Sequence, residues 1–148
     1  MARYFFAAQF AATWTMVGII WFVQLVHYPL FDGVGANEFT AYERRHARLT
    51  AYVVGPPMSV ELVGAFGALR TGWRISAMSA DWAWIGFALV GLIWLSTAFV
   101  QVPRHTLLER RFDPAVQRAL VATNWIRTVA WSMRAALLSA VAVKALYP

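Results

Sequence analysis

The sequence predicts an all-α integral membrane protein, a four-helix bundle whose helices run up-down-up-down across the bilayer. Of its 148 residues, 60% are hydrophobic and only 14% are charged, and the mean hydropathy is +0.53. A soluble domain of this length seldom combines so much apolar content with so little charge. The length leaves room for a single domain, residues 1–148, so any chemistry must take place inside the bundle or at its edge.

Four segments are long enough to cross a hydrocarbon core, which requires about 20 helical residues. They lie at about residues 4–28, 38–69, 82–104 and 114–146. The first is longer than the apolar core of a secretory signal, so we expect it to be a retained helix. The fourth begins at Asp113-Pro114, with proline at the first helical position. Short connections predict that neighbouring helices are antiparallel.

The basic residues flank apolar segments and form no basic run, although the formal net charge is +6. This pattern predicts contact with membrane lipid headgroups and no contact with nucleic acid. Arginines are more numerous in the first and third loops than on the opposite side, which predicts that those loops are cytoplasmic. We therefore expect a bacterial inner membrane protein with both termini outside. A homo-oligomer is compatible with four helices.

The three histidines are predicted to lie at one membrane level, each on a different helix. His27 ends the first helix, His46 begins the second, and His105 follows the third. Glu43 precedes His46 by three residues, and this Glu-x-x-His pair is the one that di-iron helical bundles use. We predict His27, His46, His105 and Glu43 as ligands of a transition metal, namely Fe, Zn, Cu or Mn. A haem held by two histidines is the less favoured cofactor.

The same level carries further polar side chains. Gln24 and Gln101 lie about one turn before the first and the third of these histidines, so we predict that both help to bind a cofactor. Tyr42, one turn before His46, adds a hydroxyl group, and we predict both residues to be catalytic. Alternatively, the histidines act as general acids and bases without a metal, or they are simply polar residues at headgroup level.

A polar stripe on the fourth helix, at 3-4-3 spacing, comprises Asn124, Arg127, Trp131 and Arg134. Arg134 is predicted to lie ~18 Å from the outer end of its helix at 1.5 Å per residue. An arginine facing lipid there would cost roughly 3 kcal/mol or more, so the stripe should face inward. Glu61 is the only acid deep in a span and lies at matching depth, which predicts a Glu61–Arg134 ion pair. The pair either fixes helix register or forms the floor of a polar cavity that binds a cofactor.

Arg127 should reach the histidine level together with Asn124. An arginine there can clamp a carboxylate, phenolate or phosphate group. We therefore predict Arg127 and Asn124 as catalytic residues that hold the polar end of a substrate.

The segment Asn124-Trp125-Ile126-Arg127-Thr128 resembles the Trp/Asn and Arg-Thr signature in the last helix of the anthrone oxygenase-like family of small four-helix membrane proteins. The length, the four spans and the polar element Gln101-Val102-Pro103 are similar too. The resemblance implies a membrane oxygenase that acts on a hydrophobic aromatic molecule such as a polyketide anthrone. It carries only Asn124 and Arg127 across as site residues.

Two functions remain as hypotheses. The first is a small membrane oxidoreductase or oxygenase with a histidine-bearing polar pocket near one membrane face, acting on an apolar small molecule. The second is a non-catalytic membrane subunit or transport component whose polar stripe binds a partner helix, an ion or a solute. The absence of cysteine excludes disulfides, thiolate metal sites and iron–sulfur clusters from either hypothesis.

Overall fold

The computed structural model describes residues 1–70 and 72–147, and it contains four helical spans long and apolar enough to cross a membrane. The spans are Ala2–Gly33, Ala36–Ala68, Ala80–Arg110 and Pro114–Leu146. The predicted all-α four-helix membrane bundle is therefore confirmed. The first span ends at Gly33, five residues beyond its predicted end at residue 28. The third ends at Arg110, six residues beyond its predicted end at residue 104.

Each of these two spans is built from several elements. The first contains α1 (Ala2–Phe22), a π-helical turn (Val23–His27) and a 3-10 turn (Pro29–Gly33). The third contains α3 (Ala80–Ser96), a π-helical turn (Thr97–Gln101) and α4 (Val102–Arg110). The second and fourth spans are single helices, α2 (Ala36–Ala68) and α5 (Pro114–Leu146).

Side-chain contacts establish antiparallel packing. On the first span Thr13 contacts Glu61 of α2, and His27, further along the chain, contacts His46, which is earlier in α2. The two spans therefore run in opposite directions. The third and fourth spans are related in the same way, through contacts of Thr97 with Arg127 and of Gln101 with Thr123. α1 packs on α2 and α5, α3 packs on α5, and α2 packs on α3 and α4, so the four spans close into a ring.

Both π-helical turns end two residues before a proline. Pro29 follows the first turn and Pro103 lies at the start of α4 after the second. Proline donates no backbone hydrogen bond, and its ring would clash with the carbonyl four residues earlier in a regular α-helix. A wider turn relieves that clash, and the Tyr28 N–H donates to the Val23 carbonyl five residues back, at 2.9 Å. π-helical turns inside helices often occur at functional sites.

The fourth span begins as the sequence predicts. The Asp113 side chain caps α5 by accepting hydrogen bonds from the N–H groups of Ala115 and Val116, at 2.8 and 3.4 Å. Pro114 occupies the first helical position, where its missing N–H costs nothing.

The closest approach between α1 and α2 is at Gly64. A Cβ atom added there would lie 2.7 Å from the Cβ of Gln9, which no side-chain rotation can relieve. We expect Gly64→Leu to force the helices apart and lower the free energy of unfolding by about 1–3 kcal/mol. Denaturation in detergent micelles measures this. Gly55→Leu on the same helix is the control, because a Cβ at Gly55 meets nothing within 4 Å. Equal effects of the two substitutions would contradict the prediction.

Candidate functional site

A cavity of about 560 Å³ lies among all four spans near the ends that carry the histidines. Most of its wall is apolar, including Met16, Ile20, Val23, Val54, Met58 and Trp131. Its polar wall residues include Tyr28, His46, Gln101, His105 and Arg127. An apolar cavity with a few convergent polar groups is typical of a small-molecule site.

A chain of three side chains ends at this cavity. Glu43 is fully buried, and its Oε1 contacts Nδ1 of His105. On the other edge of the ring, Nε2 of His105 lies 3.2 Å from the Tyr28 hydroxyl. If Nδ1–H donates to the carboxylate, Nε2 carries a lone pair and accepts from Tyr28. The order carboxylate, imidazole, hydroxyl is that of a general-base chain.

The second carboxylate oxygen of Glu43 is also buried. Among the side chains of residues 1–70 and 72–147, none forms a hydrogen bond with this Oε2. An unpaired buried acceptor costs free energy and is seldom retained without a function. Glu43 is therefore held for its contact with His105 at the expense of stability.

Arg127 is the arginine on the deep wall of the cavity. Its Nε and Nη2 atoms donate to Oδ1 of Asn124, at 3.0 and 2.5 Å, and its Nη1 lies 3.4 Å from Oγ1 of Thr97. The guanidinium also stands 6.0 Å from the centre of the Trp131 ring. Within the described ranges, no carboxylate lies within ion-pair distance of Arg127. The cavity thus contains a buried cation with neutral partners only.

Arg127 donates to Asn124, and Asn124 in turn donates to Gln24. The Asn124 amide donates to Oε1 of Gln24 at 2.8 Å, and the Gln24 amide donates to the carbonyl of Val121 at 3.2 Å. Both amide groups are used within the protein, and neither residue lines the cavity. The structure thus places Asn124 and Gln24 beside Arg127 and outside the cavity wall, and their catalytic and cofactor-binding roles stay predictions.

Gln101 does line the cavity. Its Nε2 donates to Oγ1 of Thr123 at 3.0 Å, and that hydroxyl in turn donates to the carbonyl of Ala119 at 2.6 Å. Because the Thr123 proton is engaged, its oxygen must accept, which fixes the orientation of the Gln101 amide. Oε1 of Gln101 is buried, and no hydrogen-bond partner for it occurs among the residues described.

His27 and His46 form a second contact, with Nε2 of His27 2.9 Å from Nδ1 of His46. Oγ1 of Thr50 lies 3.2 Å from the same Nδ1. His46 lines both the cavity and a second groove of about 720 Å³ between α1 and α2, whereas His27 and Tyr42 line only this groove. Tyr42, which the sequence predicts to be catalytic, stacks parallel to His46 and does not line the cavity. Tyr28 supplies the hydroxyl in the cavity instead.

The four predicted metal ligands are brought to one level but are paired with one another. His27 contacts His46, and Glu43 contacts His105. In the part of the chain that the structure describes, no group of three or more His, Asp or Glu side chains could hold a metal ion. Metal binding by these residues stays a prediction.

Glu61 and Arg134 form the predicted ion pair, with Nε of Arg134 3.3 Å from Oε1 of Glu61. Thr13 and Trp131 donate to the two Glu61 oxygens at 2.6 and 2.9 Å. The remaining Arg134 donors reach the Gly86 carbonyl at 2.8 Å and Oε1 of Gln9 at 2.9 Å. Every charged atom of the pair is occupied and neither residue lines the cavity. The pair ties α2 to α5, and its role in cofactor binding stays a prediction.

No family model, no curated protein and no solved structure matches the chain. The resemblance to the anthrone oxygenase-like family therefore stays a prediction, and the functional proposal rests on the geometry of the cavity.

Proposed function

We propose that the protein is a membrane oxidoreductase of the oxygenase type that acts on an apolar small molecule bound in the cavity. The observation that carries this proposal is the chain Glu43–His105–Tyr28, which ends at an apolar wall that Arg127 also lines. A general base and a cation around one apolar cavity suit the removal of a proton from a CH₂ group that is conjugated with a carbonyl group. On the orientation that charge predicts, the polar end of this cavity faces the cytoplasm.

In the proposed reaction, Tyr28, His105 and Glu43 remove the proton and Arg127 stabilises the resulting anion. The Tyr28 hydroxyl passes its proton to Nε2 of His105 as it accepts one from a substrate CH₂ group that is conjugated with a carbonyl through an aromatic ring. Glu43 stabilises the imidazolium that forms, and Arg127 stabilises the enolate oxygen. The enolate is electron-rich and reacts with dioxygen, which forms a carbon–oxygen bond. The peroxide anion takes up the proton held on the imidazolium. The second C–H bond then breaks as the oxygen–oxygen bond breaks, and the leaving hydroxide combines with the proton from that C–H bond, so that CH₂ and O₂ yield C=O and water.

The burial of the polar stripe supports an internal site over a stripe that binds a partner helix. Asn124, Arg127, Trp131 and Arg134 are all buried within a single chain. A stripe that bound a partner helix would instead face lipid.

The proposal is tested with a hydroxyanthrone, an apolar tricycle that carries a CH₂ group opposite its carbonyl. We expect the protein, purified in detergent without chelators, to consume one O₂ for each anthraquinone formed, measured with an oxygen electrode and by absorbance. Activity no higher than that of empty micelles would contradict the oxygenase proposal.

The same preparation tests the predicted metals and haem. Elemental analysis for Fe, Zn, Cu and Mn and an absorbance spectrum are compared with those of His46→Ala. A metal bound in stoichiometric amount by the wild type and lost in the variant would support the predicted metal site. Activity without any bound metal would support the acid–base chemistry alone.

A further inference from the structure

We infer that the ligand of this cavity is an apolar anion that also carries a hydroxyl donor, with Arg127 binding the charged oxygen and Gln101 accepting from the hydroxyl. The inference rests on the proposed function for the identity of the cavity, and it names the class of molecule that the cavity takes. It is carried by two polar side chains, one with no counter-charge among the described residues and one with an acceptor atom that has no partner there.

The first of these side chains is Arg127. It is 9% exposed, its partners Asn124 and Thr97 are neutral, and no carboxylate among the described residues reaches it. Burial of an uncompensated cation is costly, and the other buried arginine, Arg134, is paired with Glu61. An anionic oxygen in the cavity would supply Arg127 with the counter-charge that the protein supplies to Arg134.

The second is Gln101, whose Oε1 is buried and unpartnered among the residues that the structure describes. The contact with Thr123 fixes the amide so that the oxygen, and not the NH₂ group, is left over. A carbonyl oxygen only accepts hydrogen bonds. The ligand must therefore present a donor to it, and a second anionic oxygen would be repelled.

The spacing of the two groups is set by the third span. Thr97, which contacts Arg127, and Gln101 are four residues apart, the first and last residues of the π-helical turn. Side chains about one turn apart lie roughly 5–6 Å from each other. The hydroxyl should thus stand a few ångströms from the charged oxygen, too far for the two to satisfy each other within the ligand. A carboxylate and a hydroxyl in meta relation on an aromatic ring meet this condition.

Three probes with the same naphthalene ring separate the contributions: 4-hydroxy-2-naphthoate, 2-naphthoate and the neutral 2-naphthalenemethanol. We expect calorimetric titration of the wild-type protein to show about 10-fold tighter binding of the hydroxy acid than of 2-naphthoate. The alcohol should bind about 100-fold more weakly than 2-naphthoate.

Two variants assign these differences to residues. Arg127→Gln should abolish the preference for acids over the alcohol, and Arg127→Lys should retain part of it. Gln101→Met should remove only the advantage of the hydroxy acid and leave 2-naphthoate unchanged. Arg70→Gln, an exposed arginine at the opposite end of the bundle, is the control and should alter nothing.

The inference is overturned if neither acid binds saturably, if the alcohol binds as well as the acids, or if Gln101→Met weakens both acids equally. These outcomes are independent of turnover. Probe binding in the expected order, without oxygen uptake on hydroxyanthrone, would retain the ligand class and reject the proposed reaction. Oxygen uptake with no preference for acids would retain the proposed reaction and reject the ligand class.

Discussion

Glu61→Gln is expected to lower the free energy of unfolding by about 3–5 kcal/mol, since it leaves Arg134 charged and uncompensated in the bundle core. Both side chains are at most 2% exposed, and the contacts of Glu61 tie α2 to α1 and α5. Arg134→Met should have a similar effect, because it leaves the carboxylate unpaired. Titration with SDS in mixed micelles, followed by tryptophan fluorescence, measures the loss.

The double variant decides whether the pair itself is responsible. Replacing both charges together should cost clearly less than the sum of the two single losses, because no unpaired charge remains. Glu38→Gln and Arg70→Gln make comparable changes at exposed positions and should stay within about 0.5 kcal/mol of the wild type. Additive losses in the double variant would show that the two residues act separately.

The depth of these residues could be predicted from the sequence because a helix rises by a fixed distance per residue. Short connections then set the levels of neighbouring helices against one another. That reasoning placed Glu61 opposite Arg134 and brought the three histidines to one end of the bundle. Both placements are confirmed, the first by a 3.3 Å ion pair and the second by the contacts around His46.

The rotation of side chains about the helix axes could not be predicted in the same way. Gln24 and His27 would share a face of a regular α-helix. The π-helical turn at Val23–His27 changes this rotation, so Gln24 contacts α5 while His27 contacts α2. The same turn brings Tyr28 into the cavity. Pro29 and Pro103 are the features of the sequence from which the two π-helical turns could have been predicted.

The partner of each polar side chain also could not be predicted from the sequence. The spacing of Glu43 and His46 predicts that they act together on one ion, but Glu43 turns to His105 on α4. Periodicity identifies which residues share a helical face, whereas the neighbouring helix selects the partner. Glu43 and His105, two of the predicted metal ligands, are thereby paired in the acid–base chain that we propose, and the role of Glu43 in that chain can be tested directly.

Glu43→Gln is expected to reduce the rate of hydroxyanthrone oxidation by about 10²–10⁴-fold, because a neutral amide cannot stabilise the imidazolium form of His105. The amide oxygen can still accept from Nδ1, so the fold and the cavity should be preserved. Binding of 2-naphthoate should therefore change by less than about twofold, since Arg127 provides that affinity and Glu43 does not line the cavity. Glu38→Gln, the same substitution at an exposed position on α2, should leave both quantities unchanged. A variant that lost probe binding in proportion to its rate would show that Glu43 supports the structure of the cavity. One that retained the full rate would remove the carboxylate from the mechanism and leave Tyr28 and His105 to act without it.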